Sequence, residues 1–132
     1  MKRSLTWFGV CALLIGGTPG VAADAEFPFE HELLLDTEPV SGSKRVPSLE
    51  VEKNGRAQLD LWCASIQAQV AVSGQAITIA PGVARAQPCP PDQTRRDEEL
   101  LAALTQATSW RREDDLLILL GPQMLRFRLS TH

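Results

Sequence analysis

The sequence predicts an α+β domain, an antiparallel, strongly curved sheet or partial barrel with one helix packed on it. Three observations predict it. Apolar and polar residues alternate with period two through most of residues 47–86. The period changes once, to helical spacing, after the prolines Pro88, Pro90 and Pro91. It then returns to two short apolar runs that read as closing strands.

Taken in order, Asp24 to Glu30 reads as an acidic, mobile lead-in. Leu33, Leu34 and Leu35 make a first strand within Glu32 to Asp36, and Thr37 to Arg45 reads as a loop around Pro39 and Gly42. Leu49 and Val51 alternate within Ser48 to Glu52. Asn54-Gly55 then predicts a type I′ hairpin, because both of its central residues need positive φ. Arg56 to Trp62 returns with Ala57, Leu59 and Leu61 on one face. Ile66, Ala68, Val70 and Val72 continue the alternation. After Ser73-Gly74, Ile77 and Ile79 mark another strand. Pro81-Gly82 punctuates it, and Val83 to Ala86 reads as a separate short strand.

The helix is expected from about Asp92 to Thr108, with Leu100, Leu101 and Leu104 in one stripe. Asp92 or Thr94 can cap it, Thr94 with Asp97 resembles a capping box, and Asp97, Glu98 and Glu99 suit its positive end. Arg111 to Asp115 reads as a tight charged turn. Leu116 to Leu120 is a buried strand and Met124 to Leu129 the last, with Leu125, Phe127 and Leu129 inward and Arg126 and Arg128 outward.

Residues 1–23 are expected to be a secretory signal peptide rather than part of the fold. Lys2 and Arg3 precede an apolar run from Leu5 to Ile15, and small residues follow at Val21, Ala22 and Ala23. Cleavage is expected after Ala23, with Ala25 as the alternative. The run is far short of the ~20 residues of a membrane span, which counts against an uncleaved anchor and predicts no stable span after cleavage. Cys11 lies inside the apolar run, where a lipid-anchor cysteine would not stand. The expected location is the periplasm or the exterior.

The 132 residues carry 13 basic and 16 acidic side chains, for a formal charge of -3. That balance disfavours nucleic acid, which wants clustered basic excess. Cleavage removes Lys2 and Arg3 but no acid, so the mature chain is more acidic still. It keeps Cys63 and Cys89, and in an oxidising compartment an even pair points to one disulfide. The competing reading is a reactive thiol with His31 as base. Glu30-His31-Glu32 lacks a second His or Cys at ligand spacing, so no metal is expected, and no motif implies a cofactor. No catalytic set is assigned. Glu113, Asp114 and Asp115 beside Arg111 and Arg112 read as a solvated turn. The candidate binding surface is Trp62, Arg85, Arg126 and Arg128. Trp62 falls in register with the polar Gln58 and Asp60, and the three arginines are expected on one outer sheet face. The preferred reading is that Trp62 covers the disulfide or lies under the helix, and that the arginines are solubilising charge on the exposed side. Trp110 is a second exposed-aromatic candidate.

Several pieces stand in a recognisable order: Leu49-Glu50-Val51, Asn54-Gly55-Arg56, Cys63, Gly74, Ile77-Thr78-Ile79, Cys89 among its prolines, Glu99 to Leu104, Leu116 to Leu119, and Leu125-Arg126-Phe127. With them, Pro47 to Leu129 resembles a META domain, the family of the heat-shock protein HslJ. The chain departs from the family pattern at Trp62, Ala64 and Arg85, where relatives have Gly, Asn and Thr. The fold and the cysteines are therefore carried over, but no site built from those three residue types. The expected organisation is a signal peptide at 1–23, a lead-in and first strand at 24–46, and a META-like domain at 47–132. The resemblance implies a stress-linked accessory or binding role in the bacterial envelope, with an envelope protein or small ligand as partner, and the lack of a catalytic set fits a non-enzymatic protein. The alternative is a small exported inhibitor or ligand-binding module that uses the outer sheet face.

Overall fold

The computed structural model describes residues 26–38, 43 and 45–130. The expected signal peptide and both candidate cleavage positions lie outside them. Eight antiparallel strands follow one another around a closed barrel. They are β1 (Leu33–Leu35), β2 (Ser48–Val51), β3 (Arg56–Asp60), β4 (Ala64–Ser73), β5 (Ala76–Ala86), β6 (Ser109–Glu113), β7 (Leu116–Leu120) and β8 (Leu125–Leu129). One helix, α1 (Pro91–Thr105), stands between β5 and β6. The fold class is as the sequence predicts, and the barrel closes through a short β5–β6 seam at Ala76↔Ser109.

Period two fills the barrel. Leu33, Leu49, Val51, Leu59, Ile66, Leu117, Leu119 and Phe127 point inward and are almost wholly buried, while Glu50, Gln58, Gln67, Arg126 and Arg128 face out. Strand β1 closes one seam by pairing with both neighbours, through Leu33↔Leu49 and Leu35↔Phe127. The interior is packed by side chains, as in other small barrels.

Four expectations are corrected. The lead-in from Glu26 is docked rather than mobile. Phe27 meets Trp110 edge-on at 5.3 Å, and Glu30 donates its N–H to Val51 O at 2.7 Å and accepts one from Lys53 at 2.9 Å. The Asn54-Gly55 hairpin is not type I′. Positive φ occurs at Gly55 (94°) but not at Asn54, and Glu52 N–H bonds Arg56 O. This is the three-residue loop that ends in a left-handed glycine.

Third, residues 76–86 are one strand, not two. The ladder to β4 shifts between Ile66 and Ala68, where Gly82 and Val83 together oppose Gln67. A bulge there inserts one residue and inverts the alternation, so odd positions face inward before it and even positions after it. That inversion is what looks like a strand end in the sequence. Gly82 is needed because a Cβ there would stand 2.8 Å from Gln67 O. Fourth, Arg111 to Glu113 belong to β6. The turn is reduced to Asp114-Asp115, with Asp114 at φ 55°.

The helix buries Leu100 and Leu104, as the stripe predicts, while Leu101 is only partly buried and Ala103 takes a buried place outside the predicted stripe. Pro90 is its N-cap and no side chain caps it, so neither Asp92 nor Thr94 plays the expected part. Leu104 is 1% exposed. Leu104→Ala should therefore cost about 3 kcal/mol in urea melts. A change below about 0.5 kcal/mol would mean that this face is not docked.

Candidate functional site

One junction ties the helix to the barrel. The chain leaves β3 at Asp60 and re-enters β4 at Ala64, so Leu61 to Cys63 form a tight corner. Corners expose main-chain N–H groups that no ladder satisfies. Here they are buried, and one side chain takes three of them. Asp97 Oδ1 accepts from Trp62 N–H at 2.8 Å, and Oδ2 accepts from Cys63 and Ala64 N–H at 2.9 Å each. Asp97 sits mid-helix and is only 6% exposed. Three charge-assisted bonds to one carboxylate are the strong kind.

Beside this clamp the sulfurs of Cys63 and Cys89 lie at disulfide distance, with their Cα atoms 6.1 Å apart. The Gln93 side-chain amide, one helical turn before Asp97, lies 3.3 Å from the Cys89 sulfur and 3.8 Å from that of Cys63. The contacting atom is the amide oxygen Oε1, and joined sulfurs have no hydrogen to give it, so this is a packing contact rather than a hydrogen bond. The β3–β4 corner, the loop before α1 and the helix thus form one unit. His31 is not part of it. It is exposed beside Lys53, at the β2–β3 hairpin tip, whereas Cys63 follows the opposite end of β3.

The candidate binding residues do not share one face. Arg126 and Arg128 lie in β8, where Asp36 faces both at 4.0 and 3.5 Å. Exposed pairs of this kind contribute little stability. Arg85 lies in β5, three strands away around the barrel, so the expected three-arginine face is not formed. Trp62 is not an exposed anchor either. It is 9% exposed, because alternation ends at Asp60 and the corner turns its ring inward. Trp110 is buried too, with its indole N–H on Gly74 O at 2.9 Å.

Trp62 and Arg126 nonetheless meet at a groove of about 570 Å³ between α1 and the ends of β1 and β8. Trp62, Leu100 and Leu125 line it as buried apolar groups, and Met124, 53% exposed, stands at its edge. Arg96, Glu99, Asp36 and Arg126 supply both signs of charge. The lining is mixed, with polar and charged side chains in the majority, which suits a partner that brings hydrogen-bonding and charged groups as well as apolar surface.

The residues that build the clamp were readable only in part. Asp97 lies three and four positions before Leu100 and Leu101, and Gln93 four before Asp97, so both extend the apolar stripe. A carboxylate on a buried stripe is the signal for such a partner, and its neighbours Glu98 and Glu99 hide it among acids that suit the helix's positive end.

The sequence model of the META domain family matches residues 28–131, and the chain belongs to that family. The matched span opens at Pro28, upstream of β1, so the first strand lies inside it. A protein from Burkholderia xenovorans solved by NMR superposes with a TM-score of 0.62 at 16% identity, over 89% of this chain and 100% of its own. A second NMR structure gives 0.58 at 18% identity, over 76% and 89%. These likenesses are of fold. No curated protein matches the chain.

Proposed function

We propose that this chain is an exported, non-enzymatic META-domain protein with a stress-linked accessory or binding role in the bacterial envelope. Binding uses the groove above Trp62, with an envelope protein or small ligand as occupant. The observation that carries the binding role is the meeting of Trp62 and Arg126 with Arg96 of the helix around one groove. Export is supported by the Lys2-Arg3, Leu5 to Ile15 and Val21-Ala22-Ala23 layout, and by a cysteine pair suited to an oxidising compartment. A non-catalytic role is supported by the separation of His31 from the paired sulfurs.

Two measurements test this reading. Protein recovered from the periplasm should have the intact mass of a chain beginning at Asp24. A mass that includes Met1 to Ala23, or recovery from the cytoplasm alone, contradicts export. A pull-down from periplasmic extract should recover a partner that Arg96→Glu with Arg126→Glu loses while the fold is kept. Capture that is indifferent to both changes contradicts the groove.

A further inference from the structure

The two edges of β5 differ. Toward β4 the strand is paired from Ser73↔Ala76 to Ala64↔Ala86. Toward β6 it is paired at Ala76↔Ser109, with flanking bonds from Ile77 N–H to Thr108 O and from Trp110 N–H to Gln75 O. Beyond Ile77, no strand among the described residues pairs with that edge. A cleft of about 200 Å³ lies between Ala84 and Ala86 on one side and Glu98 and Leu101 of the helix on the other. An open edge is a template for another strand, because its N–H and C=O groups point outward unpaired.

Chemistry narrows what fits. Pro81 has no N–H to offer, so a ladder cannot run across it and the usable stretch is Gly82 to Ala86. After the bulge, Ala84 and Ala86 sit opposite the buried Ile66 and Ala64 and share their face of the ladder, although both are exposed at this uncovered edge, and Val83 and Arg85 take the opposite face. Val83 is 86% exposed, the most exposed large apolar side chain among the described residues. Arg85 has no ion pair or hydrogen-bonded side-chain partner among them.

We propose that a second copy of this chain pairs antiparallel with Gly82 to Ala86, two-fold about Ala84. Directly opposed residues must share a face, so only registers centred on a residue are allowed. Centring on Arg85 sets two guanidiniums against each other. Centring on Val83 brings Pro81 into the ladder. Centring on Ala84 sets Val83 against Arg85 of the partner subunit, and Arg85 against Val83 of the partner subunit. Each arginine stem then covers a valine and no like charges meet. On the face of Ala84 the contacts are between alanines and glycine, which leave the backbones free to approach. A ladder of about five residues buries less than the ~1,200 Å² of a standard interface, so the dimer is weak and concentration-dependent.

Sedimentation equilibrium of the purified protein, from about 10 μM to about 1 mM, tests the proposal. A monomer–dimer equilibrium should appear in the upper part of that range. Val83→Lys opposes Lys to Arg85 across both halves of the pair and should weaken the dimer about ten-fold or more. Val83→Glu opposes Glu to Arg85 and should hold or tighten it, whereas a merely sticky valine would be lost in both variants. Ala84→Cys should oxidise to a dimer crosslinked through residue 84, because residues opposed in an antiparallel ladder lie within disulfide reach. A monomer throughout, oligomers beyond the dimer, equal loss in both Val83 variants, or no crosslink through residue 84 overturns it.

Discussion

Asp97→Ala should destabilise the domain by about 4–6 kcal/mol, the largest effect of any single substitution outside the barrel interior. The reason is asymmetry. Removing the carboxylate strands the main-chain N–H groups of Trp62, Cys63 and Ala64 in a buried corner. Each unsatisfied donor costs roughly 1–3 kcal/mol. The losses act on one corner and add imperfectly, which sets the range below the simple total. Asp97→Asn should cost less, about 2–3 kcal/mol, because its oxygen keeps part of the set while its NH2 confronts an N–H. Urea melts with the disulfide intact measure both. Losses under about 1 kcal/mol for the alanine variant would mean that the corner finds other acceptors and that Asp97 is not its keystone.

Breaking the Cys63–Cys89 bond should cost about 3–4 kcal/mol. The two residues are 26 apart in sequence, and a crosslink across that separation restricts the unfolded chain by roughly that amount. For a domain with a stability of about 5–15 kcal/mol this is a large share. Reductant should therefore lower the melting temperature, and Cys63→Ser should lower it equally and then be indifferent to reductant. Peptide mapping without reduction should recover the Cys63 and Cys89 peptides joined. Finding both cysteines alkylatable in native, unreduced protein contradicts the bond and reopens a thiol reading of Cys63.

Much of this fold is legible because period two and period 3.6 are read from side chains alone. The inward row of β8, Leu125 and Phe127, and the helical stripe of Leu100 and Leu104 fall where their spacing puts them. What is not legible depends on neighbours distant in sequence. Pro81-Gly82 looks like a break, since nothing local says that β4 holds the strand together across a bulge. Arg111 to Glu113 look like a turn, since β7 supplies the pairing that makes them a strand. Phe27 looks like part of a mobile lead-in until Trp110 meets it. The site follows the same rule. The cysteine pair is legible from count and compartment. The Asp97 clamp is not, because its three partners lie more than 30 residues away. Trp62 looks exposed only if the alternation continues past Asp60, where β3 in fact ends.

The central claim is that α1 and the β3–β4 corner are one unit held by Asp97, which keeps Trp62 against the groove. Amide hydrogen exchange in the native protein tests it most directly. The N–H groups of Trp62, Cys63 and Ala64 should exchange only through openings close in free energy to global unfolding. In Asp97→Ala these three should become fast-exchanging, while those of Leu117 and Leu119 in β7 stay slow. Rapid exchange at the three amides in the unaltered protein, at the rate of an exposed turn, would contradict the account.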